Sequence, residues 1–110
     1  MIMTAIEKLE KNGLNLNYSD LERLCKKYNV KEISVFGSSI REDFNENSDV
    51  DLLVSYVDIW ENSLLDMLDL KDELSILLNR KIDLIEKEGL NNPIRKKIIL
   101  STAEVLYAVK

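Results

Sequence analysis

Residues 33–56 decide the fold: Ile33-Ser34-Val35-Phe36-Gly37-Ser38-Ser39-Ile40-Arg41-Glu42-Asp43-Phe44-Asn45-Glu46-Asn47-Ser48-Asp49-Val50-Asp51-Leu52-Leu53-Val54-Ser55-Tyr56. Over Lys31 to Phe36, Ile33 and Val35 alternate with Ser34 and Phe36, which predicts a strand covered on both faces and ended by Gly37. An irregular polar stretch follows. Alternation then resumes from Asp49 to Tyr56, with Val50, Leu52, Val54 and Tyr56 on one face and Asp49, Asp51, Leu53 and Ser55 on the other. Two strands joined by a short polar excursion therefore form the centre, and everything else must pack against them.

Working outward, the period lengthens to that of helices. A first helix is expected over Met3 to Lys11, with Ile6 and Leu9 on one face and a stop at Asn12-Gly13. A second is expected from Ser19, where Ser19-Asp20-Leu21-Glu22 has the form of a capping box, to Tyr28, with Leu21, Leu24, Cys25 and Tyr28 inward. A third runs from Ser63 to Asn79 and carries Leu64, Met67, Leu68, Leu74, Leu77 and Leu78 as core. Lys81 to Glu86 reads as a third strand. Pro93 suits the first turn of a last helix reaching Leu100, with Ile94, Ile98 and Ile99 on its inner face. Glu104 to Ala108 is read as a short closing strand. The fold class is α/β in the broad sense (α+β), a small mixed β-sheet backed by helices largely on one face.

Composition bounds the chemistry. The 110 residues contain no histidine, which excludes Ser-His-Asp and Cys-His catalysis and every imidazole-ligated zinc site. Carboxylates and oxygen-loving metals remain. Cys25 is the only cysteine, so no internal disulfide forms, and it reads as a buried small hydrophobe in a reducing, cytoplasmic compartment. No apolar run approaches the length of a membrane span and the N-terminus lacks a signal-peptide pattern. With 20 acidic against 15 basic residues, net −5, the surface does not favour bare nucleic acid through bulk electrostatics. Three glycines and one proline leave no linker that would divide the chain, so one domain over residues 1–110 is expected. About two-thirds of the unfolded surface should be buried at this size, enough for a core without staples.

The chemistry centres on carboxylates. Asp49 and Asp51, two apart in a strand, leave the same face with Cα atoms about 6.5–7 Å apart. Asp is a poor strand former and like charges repel, so this pair is a local cost without structural return. In the third strand Asp83 points away from Ile82 and Leu84; if that strand lies beside the second, three carboxylates share one face. Such hard oxygen donors suit Mg²⁺, and two ions can flank an in-line phosphoryl displacement. Separated from Asp49 by the ten residues Ser39 to Ser48, Gly37-Ser38 ends a strand in a turn able to hold a phosphate.

Gly37-Ser38-Ser39-Ile40-Arg41 followed by Asn47-Ser48-Asp49-Val50-Asp51-Leu52-Leu53-Val54 resembles the signature of the minimal nucleotidyltransferases (MNT), small members of the DNA polymerase β-like superfamily. The resemblance extends to Lys81-Ile82-Asp83-Leu84-Ile85 and to Pro93 through Ala108; Glu42-Asp43 and Asn45 depart from the usual Gly-Glu and basic residue. It implies a nucleotidyltransferase-like fold in which Asp49, Asp51 and Asp83 are catalytic and bind two Mg²⁺ ions. Gly37, Ser38, Arg41 and Ser48 would stand at nucleotide-binding positions. It further implies transfer of AMP from ATP to a hydroxyl. Larger relatives carry an acceptor-gripping domain beyond the catalytic core, so a second protein is expected here, typically a HEPN-domain toxin ribonuclease modified on tyrosine by its MNT antitoxin. Two alternatives stay open: neutralisation of the partner by occlusion alone, and transfer to a small-molecule hydroxyl. Arg95-Lys96-Lys97, Arg80 and Lys81 are read as solvated faces, and Trp60 as either core-edge cover or partner anchor.

Overall fold

The structure, a computed structural model, describes residues 3–57 and 63–109. Helices α1 (Ala5–Lys11) and α2 (Tyr18–Lys27) precede strand β1 (Val30–Phe36), which runs into a 3₁₀ turn at Gly37–Ile40. Strand β2 (Val50–Tyr56), helix α3 (Leu64–Leu78), strand β3 (Ile82–Glu86), helix α4 (Pro93–Thr102) and strand β4 (Glu104–Ala108) follow. The sheet order is β3-β2-β1-β4, with β1 antiparallel to both β2 and β4 and β3 parallel to β2. A parallel neighbour needs a crossover, and α3 supplies it. The mixed sheet with a closing strand is the expected α+β architecture. Trp60 lies outside the described residues.

Alternation sorts the strands as expected. Ile33, Val35, Val50, Leu52 and Val54 are buried in one core with Leu9 of α1, Leu21, Leu24 and Cys25 of α2, and Leu70, Leu74 and Leu78 of α3. The reverse face holds a smaller cluster in which Phe36 and Leu53 meet Ile99 of α4, with Ile85, Leu90 and Ala103 against them. Three helices thus back one face of the sheet, and α4 covers part of the other.

Three expectations are corrected. Helix α2 is capped by Asn17, whose Oδ1 accepts from Asp20 N at 3.2 Å, not by Ser19. Asn caps as well as Ser. The earlier start also places Tyr18 beside Tyr107, ring centroids 6.4 Å apart. Capping boxes instead open α1 (Thr4 with Glu7) and α3 (Ser63 with Asp66). In α3 the buried stripe is Leu70, Leu74 and Leu78; Leu64 is 74% exposed and Leu68 is also exposed, because a leucine-rich helix has more apolar positions than one sheet face can cover. In α4 only Ile99 is buried, while Ile94 and Ile98, 72% and 59% exposed, lie one helical step away and face solvent.

Candidate active site

The site forms where β1 ends and β2 begins. Antiparallel register places Phe36 opposite Asp51, and parallel register places Asp83 beside Asp51. Neighbours in register point to the same face, so both carboxylates leave the sheet on the side away from α1–α3, the side on which Phe36 and Leu53 meet α4. Asp49 precedes β2 by one residue instead of lying within it, and is half-buried like Asp51, while Asp83 is exposed. The expected convergence of the three is therefore one of backbone position. Among the described residues, no three carboxylate or thiol groups close on a single point as they stand.

Asp51 lies against the turn. Gly37 adopts φ +77°, and a Cβ built there would overlap Asp51 Oδ2 and approach Asp51 Cγ to 3.3 Å. Only glycine lets the carboxylate and the turn come this close. Burial pushes the Asp51 carboxyl above the usual carboxylate range, the neighbouring Asp83 and Asp49 charges add to this, and the Arg41 and Arg95 charges oppose it. Among the described residues none of the three carboxylates has a hydrogen-bond or ion-pair partner. A cluster of like charges without partners is costly unless a cation offsets it, and the hard oxygen donors match Mg²⁺.

The other predicted positions divide. Ser38 is half-buried beside Gly37, and its carbonyl accepts from Arg41 N at 2.9 Å. Arg41 is exposed, with Nε donating to Asp43 Oδ1 at 3.1 Å. Ser48 closes a turn: its Oγ accepts from Asn45 N at 3.2 Å and its N–H donates to Asn45 O at 3.0 Å. Two contributors escaped the sequence reading. Asn12, read only as the end of α1, donates from Nδ2 to the carbonyls of Ser39 (2.7 Å) and Arg41 (3.0 Å) and so ties α1 to the turn. Arg80, read as solvated, reaches back to the loop before Asp49. Both act across long sequence separations, and no local pattern marks them.

The turn and the carboxylate strand lie within the part of the chain that a family model matches: the family described as "Polymerase beta, Nucleotidyltransferase" matches residues 19–109, and the chain belongs to it. The relative named protein adenylyltransferase MntA, of Thermococcus cleftensis, is 35% identical over 107 residues, covering 97% of this chain and 99% of that one. A Methanocaldococcus jannaschii relative named as a candidate protein adenylyltransferase is 46% identical over 76 residues, 69% of this chain and 76% of its own length. Among solved structures, a toxin–antitoxin crystal structure with AMP-PNP superposes with a TM-score of 0.68 at 20% identity, over 86% of this chain and 76% of that chain. That likeness shows the shared fold.

Proposed function

We propose that the chain is a Mg²⁺-dependent protein adenylyltransferase and the antitoxin of a HEPN-type toxin ribonuclease, moving AMP from ATP to a toxin hydroxyl, in the first place tyrosine. The observation that carries this is the register that sets Asp51 beside Asp83 and directly over Gly37, in a chain similar along nearly its whole length to a protein named for this activity. The fold is also shared with a chain in the structure of tri-AMPylated Shewanella oneidensis HEPN toxin in complex with MNT antitoxin (TM-score 0.60, 16% identity, over 92% of this chain and 73% of that chain).

In the proposed reaction the acceptor oxygen forms a bond to the α-phosphorus of ATP while the bond from that phosphorus to the β-bridging oxygen breaks, and pyrophosphate leaves. Mg²⁺, when bound, would supply positive charge against the triphosphate and the leaving oxygen. Asp49 and Asp51 would hold the metal, and Asp83, the exposed member of the three, would serve as a further ligand or as base for the hydroxyl proton. Gly37 and Ser38 hold the triphosphate at the turn, with Arg41 beside them. Ser48 contributes by shaping the loop. Positioning and charge neutralisation supply most of the rate. No helix among the described residues is long and apolar enough to cross a membrane, and a cytoplasmic site of action accords with a buried, unpaired Cys25.

The test is incubation with α-labelled ATP, Mg²⁺ and a partner of the proposed HEPN type. Label on a toxin tyrosine is the expected result, and an Asp49→Asn, Asp51→Asn double variant should not transfer it. A complex that forms without labelling would overturn the catalytic assignment. Neutralisation that survives the double substitution would assign control to occlusion, and labelling of small hydroxylated compounds without a partner would redirect the acceptor.

A further inference from the structure

We propose that Arg80 is a positioning residue for Asp49: it fixes the peptide that leads into the first metal-binding carboxylate. The inference rests on the transfer function above for what Asp49 does, and on geometry alone for what Arg80 holds.

Asp49 lies one residue outside β2: the peptide that follows it is held where Val50 N–H donates to Lys81 O at 3.0 Å, but no sheet bond holds the peptide that precedes it. The preceding segment is polar and open, with Arg41, Glu42, Asp43, Asn45, Glu46 and Asn47 all exposed. Left to itself such a loop would let the peptide before Asp49 rotate, and a metal ligand whose backbone turns on one side loses affinity. The segment is instead tied at its end. Arg80 donates from one guanidinium nitrogen to Ser48 O at 2.5 Å and to Asn45 O at 2.7 Å. Ser48 O belongs to the peptide group joining Ser48 to Asp49, so holding it sets the plane from which the Asp49 Cα departs. Asn45 O is the same carbonyl that accepts from Ser48 N, so Arg80 braces both ends of the turn.

The brace is itself anchored. The guanidinium carbon sits 4.4 Å from the centroid of the Phe44 ring, which packs partly buried against the main core. Its backbone N–H donates to Ser75 O at 3.2 Å, just past the left-handed Asn79 that ends α3. Three residues on, β3 carries Asp83, so one short segment both presents the third carboxylate and steadies the first. Lysine would keep the charge but lose the planar face that lies on Phe44 and the rigid geometry that bridges two carbonyls.

The test uses the full chain as wild type, Arg80→Lys and Arg80→Met, with Asp49→Asn as reference, and three readouts. Amide hydrogen exchange over residues 45–50 needs neither nucleotide nor partner, and both Arg80 variants should exchange faster there with the strand interiors unchanged. Affinity for Mn²⁺ alone should fall at least about tenfold in Arg80→Met, towards that of Asp49→Asn. In adenylyl transfer kcat should drop by about tenfold or more, while KM for ATP moves less than about threefold, since Arg80 does not touch the Gly37–Ser38 turn. Loop exchange at the wild-type rate in Arg80→Met would overturn the proposal. Full recovery of Mn²⁺ affinity by Arg80→Lys would do so too, by reducing the role to charge. A wild-type chain that transfers no AMP overturns the proposed function instead, and the exchange and Mn²⁺ comparisons still decide Arg80.

Discussion

A β-carbon at residue 37 would overlap the carboxylate of Asp51, so only glycine fits there with Asp51 in place. Two requirements meet at Gly37, a φ of +77° and an empty side-chain position. The left-handed conformation alone costs an L-residue about 1–2 kcal/mol. The overlap with Asp51 adds to it, because the carboxylate must turn away. Gly37→Ala should therefore destabilise the chain by at least about 1 kcal/mol in urea unfolding and lower adenylyl transfer by more than about tenfold. A variant with wild-type transfer would show that the close approach is not needed.

In the absence of bound metal, Asp51 is also a source of instability. Its carboxyl is held above the usual range by burial and by Asp83 and Asp49, so the folded chain binds this proton more tightly than the unfolded chain. The associated stability is full below the unfolded carboxylate value and is lost as pH rises through the raised folded value. Without divalent metal, Asp51→Asn should raise Tm at neutral pH, and the gain should shrink on acidification. Mg²⁺ should reverse the ranking, stabilising the wild type by roughly 1.4 kcal/mol at ten times its Kd and the variant by much less. Melting curves with chelator and with Mg²⁺ check both; a variant less stable than wild type in chelator would contradict the electrostatic account.

How much of this was readable in the sequence follows the range of each interaction. The alternation of Val50, Leu52 and Val54 against Asp51, Leu53 and Ser55 is a one-strand property, and it sorts Val50, Leu52 and Val54 into the main core and Leu53 onto the reverse face. Ile82 and Leu84 against Asp83 did the same for β3. Helical phase was harder. Ile94, Ile98 and Ile99 offer two adjacent stripes, and Phe36 and Leu53 on the sheet select Ile99. Asn17 and Ser19 are overlapping caps between which local chemistry does not choose. Arg80 and Asn12 were unreadable for a different reason, since the carbonyls they hold lie 27 to 35 residues away.

Cys25 is buried among apolar side chains of α2 and the sheet, and burial, with a smaller contribution from Glu22, pushes its thiol up to about 12. At pH 8 the thiolate is then about one part in ten thousand, and the thiolate is the reactive form. A thiol reagent should label the native chain at least about a hundredfold more slowly than the chain in denaturant. Rapid stoichiometric labelling of the native chain would place this side chain elsewhere.

Tyr28 and Glu73 join α2 to α3 on the side remote from the site: the phenol donates to Glu73 Oε2, and Lys27 Nζ donates to Glu73 Oε1 at 3.2 Å. The bond from Tyr28, aided by Lys27, holds the Glu73 carboxyl below its usual range. The same bond, with burial and nearby acidic charges, pushes the Tyr28 phenol up to about 12. The signs are opposite at the two ends of the pH scale. Stability from Glu73 is present above its unfolded value and is lost as pH falls through the depressed folded value; stability from Tyr28 is present below its unfolded value and is lost as pH rises towards 12. Because Glu73 is only half-buried, its charged hydrogen bond should contribute about 1 kcal/mol at neutral pH, below the range for fully enclosed ones. Glu73→Gln should lower neutral stability by about that amount and remove its part of both limbs. Tyr28→Phe should cost less in the Glu73→Gln background, where the phenol donates to a neutral amide oxygen, than in the wild type. Urea unfolding of the two single variants and the double variant at pH 4, 7 and 10 measures the coupling. Additive losses at pH 7 would mean that the two side chains do not act as a pair.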